Sequence, residues 1–60
     1  MDNWEIFEKQ LTELALNEGL NPEIFDWKSI SDGYEHDIYN NITLRSIINK
    51  WINYYKELGD

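Results

Sequence analysis

The sequence has no cysteine, a single histidine, a single proline, three glycines and only five basic residues in 60 positions. Without cysteine there is no disulfide and no thiolate metal site, and His36 alone cannot make a multi-histidine cluster. A chain this short removes only about 60% of its unfolded-state surface from water, so stability must come from packing, self-association or a partner. No apolar run approaches the roughly 18 residues that a membrane span requires. The opening Met-Asp-Asn-Trp-Glu has neither the basic region nor the apolar stretch of a secretory signal, so a cytoplasmic protein is expected. The glycosylation pattern Asn41-Ile42-Thr43 then has no role.

The shortage of bases is uneven. Twelve acids against five bases give a net charge of −7. Residues 1–40 hold ten of those acids with only Lys9 and Lys28, whereas residues 41–60 hold two acids and three bases. Affinity for nucleic acid rests largely on neutralising phosphates, so direct nucleic-acid binding is not expected, and acidic headgroups repel the chain in the same way. A basic protein surface would attract it and speed encounter.

Apolar residues recur at helical spacing in three places. Trp4, Phe7, Leu11, Leu14 and Ala15 share one face of a first helix running to about Glu18, capped by Asp2-Asn3 and stopped by Gly19-Leu20. Asn21-Pro22 restarts the chain, and Ile24, Phe25, Trp27 and Ile30 fit a short second helix that ends at Ser31-Asp32-Gly33. In the third, Leu44, Ile47, Ile48, Trp51, Ile52, Tyr54, Tyr55 and Leu58 occupy roughly 160° of a helical projection, with polar residues opposite. Ile38, Tyr39 and Ile42 would fall on the polar side of that helix. It therefore starts near 41–43, leaving 34–40 as a loop or short extended piece. The pattern predicts one all-α domain over residues 1–60, a compact three-helix unit; a small α+β fold with a short strand near 34–40 is the alternative. The 160° arc is wide enough to face two neighbours; it is expected to pack on the other two helices as core, the alternative being that Trp51, Tyr54 or Tyr55 is partly reserved for a partner or symmetry mate.

No catalytic constellation stands out. Ser31-Asp32-Gly33-Tyr34-Glu35-His36-Asp37 groups titratable residues around the one histidine, but successive side chains along an extended segment diverge and cannot converge on one ion. Ser29 and Ser31 near His36 lack any oxyanion-hole or nucleophile-turn signature. No enzyme activity, metal or cofactor is expected.

Residues 14–30, Leu-Ala-Leu-Asn-Glu-Gly-Leu-Asn-Pro-Glu-Ile-Phe-Asp-Trp-Lys-Ser-Ile, resemble in part a helix-turn-helix unit, with Ala15, Gly19 and Leu20 matching that family's tight turn and Phe25 its next buried position. The resemblance implies a transcriptional regulator. The helix that would read DNA, however, presents Glu23 and Asp26 to the phosphates, with scarcely a base alongside.

These observations predict a small acidic, non-enzymatic binding protein that inhibits or regulates a basic, nucleic-acid-handling protein by carboxylate mimicry of phosphates. Phage-type inhibitors such as anti-restriction or anti-CRISPR proteins, antitoxins and immunity proteins belong to that class. The partner-binding candidates are the acids Glu5, Glu8, Glu13, Glu23, Asp26, Asp32, Glu35 and Asp37, with Trp27, Tyr34, Tyr39 and Tyr54 as aromatic anchors. The alternatives are a self-assembling helical adaptor that forms a homodimer through its last helix, or the helix-turn-helix-like regulator.

Overall fold

Three helices pack around one core in the computed structural model, which describes residues 3–59. They are α1 (Asn3–Asn17), α2 (Trp27–Tyr39) and α3 (Leu44–Leu58), with a 3-10 turn, Pro22–Ile24, between the first two. A Cα radius of gyration of 10.9 Å matches the about 10.4 Å expected for a folded 60-residue domain. The all-α three-helix expectation holds.

The first corner obeys the sequence signals. Gly19 adopts φ +78°, Leu20 N–H donates to the Ala15 carbonyl at 2.8 Å and Gly19 N–H to that of Leu16 at 3.2 Å, which together close α1 in a Schellman motif. The capping residue Asp2 lies outside the described residues. Asn21 caps the next segment, its side chain accepting from Glu23 N–H at 3.0 Å, with Pro22 in the first position. That cap starts only the 3-10 turn. Phe25 is extended, and Asp26 caps α2 proper, accepting from Ser29 N–H at 3.3 Å and Ser29 Oγ at 2.9 Å.

The second helix departs twice from the sequence expectation. Ser31-Asp32-Gly33 does not end it, and residues 34–39 are neither loop nor strand but its last turns. Gly33 is there because Trp51 of α3 lies against the backbone at that point. Helix α2 ends instead at a second Schellman motif: Asn41 takes φ +62°, Ile42 N–H donates to the Asp37 carbonyl at 2.9 Å and Asn41 N–H to that of Ile38 at 3.0 Å. Thr43 then caps α3 through Ser46 N–H at 3.2 Å, within the range expected for its start.

Phe7, Leu11 and Ala15 of α1, Ile30 and Tyr34 of α2 and Ile47, Ile48, Ile52 and Tyr55 of α3 form the core with Phe25. Ile24, expected inside, is half exposed because the 3-10 turn rotates it outward. The wide apolar arc of α3 divides. Tyr55 is buried, Trp51 is partly buried, and Tyr54 and Leu58, one turn apart along its edge, remain 49% and 62% exposed.

Two ion pairs tie the helices at the surface. Lys50 of α3 pairs with Asp37 of α2, and Lys56 of α3 reaches Glu18, just past α1, at 2.6 Å. Each stabilises by at most about 1 kcal/mol, so the apolar core carries the fold. No described helix is long and apolar enough to cross a membrane.

Candidate functional site

Of the residues singled out from sequence, Glu5, Glu8, Glu13, Glu23, Asp26, Asp32 and Glu35 are exposed, whereas Asp37 is half-buried and paired with Lys50. The aromatic anchors fare unevenly. Tyr34 is 7% exposed, its ring 4.7 Å from that of Phe7, so it is a core residue with little surface to offer a partner. Trp27 is half-buried, edge-on to Trp4 at 6.1 Å and to Phe25 at 5.6 Å. Tyr39 is 87% exposed and Tyr54 remains half exposed.

One of the acids, Glu35, borders a seam between α1 and α2. Trp4 contacts Tyr34 at 5.2 Å, which sets the N-terminal half of α1 against α2, and a crevice of about 320 Å³ between them is lined by Trp4, Ser31, Tyr34 and Glu35. Glu8 stands one turn beyond Trp4 on α1, with Glu5 three residues before it; Asp32 stands three residues before Glu35 on α2. Of the candidate acids only Glu35 lines that crevice, and Glu5, Glu8 and Asp32 are exposed elsewhere on the same two helices. Glu13 lines the α1–α3 groove with Arg45, and Glu23 belongs to the 3-10 turn. The acids are spread over the surface.

A second feature brings together residues far apart in sequence. Asp26 at the head of α2 and Tyr54 on α3 line a groove of about 340 Å³ with Ser29, Lys50, Trp51 and Tyr55. The Tyr55 hydroxyl accepts from Asp26 N–H at 3.0 Å and so fixes the start of α2 against α3. The hydroxyl and the backbone N–H of Ser29, in that order of effect, hold the Asp26 carboxyl below its ordinary value by hydrogen-bonding its charged form. The Lys50 ammonium sits 5.5 Å from the Trp51 ring centre while pairing with Asp37. Trp51 and Tyr54 meet edge to face, at 5.7 Å and 86°. The indole Nε1 of Trp51 is buried and has no hydrogen-bond partner among the described residues.

The groove residues Ser29, Lys50 and Tyr55 are not among the acids and aromatic anchors singled out from sequence. The Asp26-x-x-Ser29 cap spacing points to Ser29 and the wide apolar arc of α3 to Tyr55, whereas no sequence signal marks Lys50, because the groove forms where two helices meet. A larger groove of about 520 Å³ lies between α1 and α3, but Gln10, Asn17 and Asn49 line much of it and it presents no aromatic face.

The histidine cluster does not assemble a site. His36 is exposed, its Nδ1 3.8 Å from Asp37 and 3.3 Å from the Asn40 amide. Ser29 lies seven residues before it on the same helix, an axial separation of about 10 Å, so the two cannot form a nucleophile–base pair. Among the described residues no three His, Asp or Glu side chains are placed to hold a metal ion. No protein-family model, curated protein or solved structure matches this chain.

Proposed function

We propose that the protein is a non-enzymatic binding protein that docks on a basic, nucleic-acid-handling protein and inhibits or regulates it, its carboxylates standing where that partner takes phosphates. The observation that carries this reading is how charge is divided at the surface. Lys50 and Lys56 are taken up by Asp37 and Glu18. Among the described residues the other acids number eight, Glu5, Glu8, Glu13, Glu23, Asp26, Asp32, Glu35 and Glu57, against Lys9, Lys28 and Arg45. The excess negative charge faces solvent rather than being spent inside the fold. Glu5 and Glu8 on α1 and Asp32 and Glu35 on α2 are spaced i, i+3 along their helices. Side chains three or four apart on a helix are separated by about 5–6 Å, comparable to successive phosphates on a strand.

The experiment uses the purified chain, immobilised, to capture proteins from a host extract at low ionic strength. A basic nucleic-acid-binding protein that elutes with modest salt, and that loses affinity when Glu5, Glu8 and Glu35 are all reversed to Lys, supports the reading. Retention unaffected by the reversal rejects the electrostatic mechanism.

A second reading rests on Tyr54 and Leu58, which leave an apolar edge of α3 uncovered. A homodimer formed through that edge would make the protein a self-assembling adaptor. Light scattering across a concentration series separates the two, since an adaptor of this kind shows a dimer mass that Tyr54→Asp abolishes.

A further inference from the structure

The groove between the head of α2 and α3 has a chemistry that the other exposed acids lack. Its one carboxylate is held in place: Asp26 Oδ1 accepts from Ser29 N–H at 3.3 Å and Oδ2 from Ser29 Oγ at 2.9 Å. A carboxylate oxygen has two lone-pair sites, so each retains acceptor capacity, and Asp26 is exposed. The N-terminus of α2 offsets the Asp26 charge only in part, and no side-chain cation in the groove pairs with it, because the other charged lining residue, Lys50, is paired with Asp37. The charge of Lys28, two residues on, is the weakest of the influences on Asp26, and Lys28 does not line the groove. The local balance is therefore negative, which disfavours an anionic ligand and favours a cation.

The aromatic lining narrows the kind of cation. Lys50 already lies over the Trp51 ring, so the aromatic surface left for a ligand is the half-exposed ring of Tyr54, held edge-on to Trp51. A flat ring beside a fixed two-oxygen acceptor suits a planar, two-pronged donor. Guanidinium stacks on such rings and donates two parallel N–H bonds to a carboxylate, whereas an ammonium is a point charge that uses neither feature fully.

We propose that this groove receives an arginine side chain of a basic protein partner, with the guanidinium bridging both oxygens of Asp26 and its plane lying on Tyr54. The inference rests on the proposed function for the source of the arginine, but the groove's own chemistry can be tested with no partner present. A second copy of this chain is a poorer source. It offers only Arg45, from a molecule carrying the same net charge of −7.

The test is an NMR titration of the intact protein with N-acetyl-arginine amide, following the Trp51 indole N–H and the Tyr54 ring signals, with N-acetyl-citrulline amide as the uncharged isostere. Arginine should shift both sets of signals progressively and citrulline should not. Asp26→Asn removes the charge while keeping an equally good helix cap, so the fold survives. It should weaken arginine binding roughly two- to fivefold, the range an exposed ion pair supports. Equal shifts from arginine and citrulline, or an Asp26→Asn protein that binds arginine unchanged, overturn the proposal. Tighter binding of free L-arginine than of the capped form would assign the groove to a small molecule and overturn the protein source. Dimerisation that Arg45→Gln abolishes would do the same in favour of a second copy. Loss of the arginine shifts alone leaves the carboxylate-mimicry reading standing. Failure to capture any basic protein, with the shifts intact, removes that reading and with it the protein source of the arginine.

Discussion

A Cβ on residue 33 would stand 2.8 Å from Cζ2 of Trp51, closer than carbon atoms tolerate, so the glycine in the middle of α2 is the notch in which the α3 indole sits. Glycine in a helix interior costs about 1 kcal/mol relative to alanine. Here the cost is offset by the approach it permits. The ring is also in contact with Tyr54, Tyr55 and Lys50, which leaves it little freedom to retreat.

Gly33→Ala should therefore destabilise the protein, because overpacking of about 1–3 kcal/mol outweighs the gain of about 1 kcal/mol in helix propensity. In a Trp51→Leu background the notch is empty and the same substitution should stabilise by up to about 1 kcal/mol. Urea unfolding of the four proteins checks the reversal of sign. A Gly33→Ala effect of the same sign and size in both backgrounds would mean the two residues are not coupled.

The same contact explains why α2 is hard to read from sequence. Its inward face runs Trp27, Ile30, Gly33, Tyr34 and Asp37, a regular helical stripe in which one position is a glycine and another an acid paired with Lys50. Apolar periodicity fades where a neighbour's ring or ammonium supplies the contact. Ser31-Asp32-Gly33 then has turn chemistry without forming a turn. Helices α1 and α3 are legible because their buried faces are filled with their own apolar side chains, and Gly19, Asn21 and Pro22 act locally as their types suggest. The exposed acids are likewise legible, since charge is read directly from sequence. The groove is not, because Asp26 and Tyr54 meet only through tertiary packing.

Asn41 holds the left-handed position that closes α2, at φ +62°. Asparagine tolerates that conformation better than alanine does, and glycine better still. Asn41→Ala should cost about 1–2 kcal/mol, while Asn41→Gly should be neutral or slightly stabilising. Thermal unfolding followed by circular dichroism distinguishes them, since 1 kcal/mol corresponds to about 4–8 °C in a domain of this size. Equal melting temperatures for the two variants would count against the closure described.

Tyr55 has two tasks, packing its ring at 4.6 Å from that of Phe25 and accepting the Asp26 N–H. Tyr55→Phe keeps the first and removes the second. It should lower stability by about 0.5–1.5 kcal/mol and increase hydrogen exchange at the Asp26 amide. Unchanged protection at that amide would show that the hydroxyl does not hold it.

Asp26 titrates below the ordinary aspartate range because Ser29 hydrogen-bonds its ionised form. A carboxyl whose pKa is lowered on folding binds its proton more readily when unfolded. Its contribution to stability is therefore present above the unfolded value and is lost as the pH falls through the folded one. Asp26→Asn should flatten the acid limb of the stability profile below about pH 4 and leave stability at neutral pH nearly unchanged, since asparagine caps equally well. Parallel acid limbs in the two proteins would place the acid sensitivity elsewhere.

Glu5, Glu8 and Glu35 are exposed and lie outside the apolar core, so removing their charge should alter encounter rather than folding. Replacing Glu5, Glu8 and Glu35 together by Gln should leave stability within about 0.5 kcal/mol of the parent. The association rate with a captured basic partner should fall, and the dependence of that rate on salt should flatten, because steering by exposed charge is screened over about 10 Å at 0.1 M ionic strength. Dissociation should change less, since rim charges act mainly on the approach. Stopped-flow association measured at several salt concentrations decides the matter. If the triple variant associates at the parental rate with the parental salt slope, these three carboxylates take no part in recognition. The other unpaired acids, Glu13, Glu23, Asp26, Asp32 and Glu57, would then have to account for any attraction that remains.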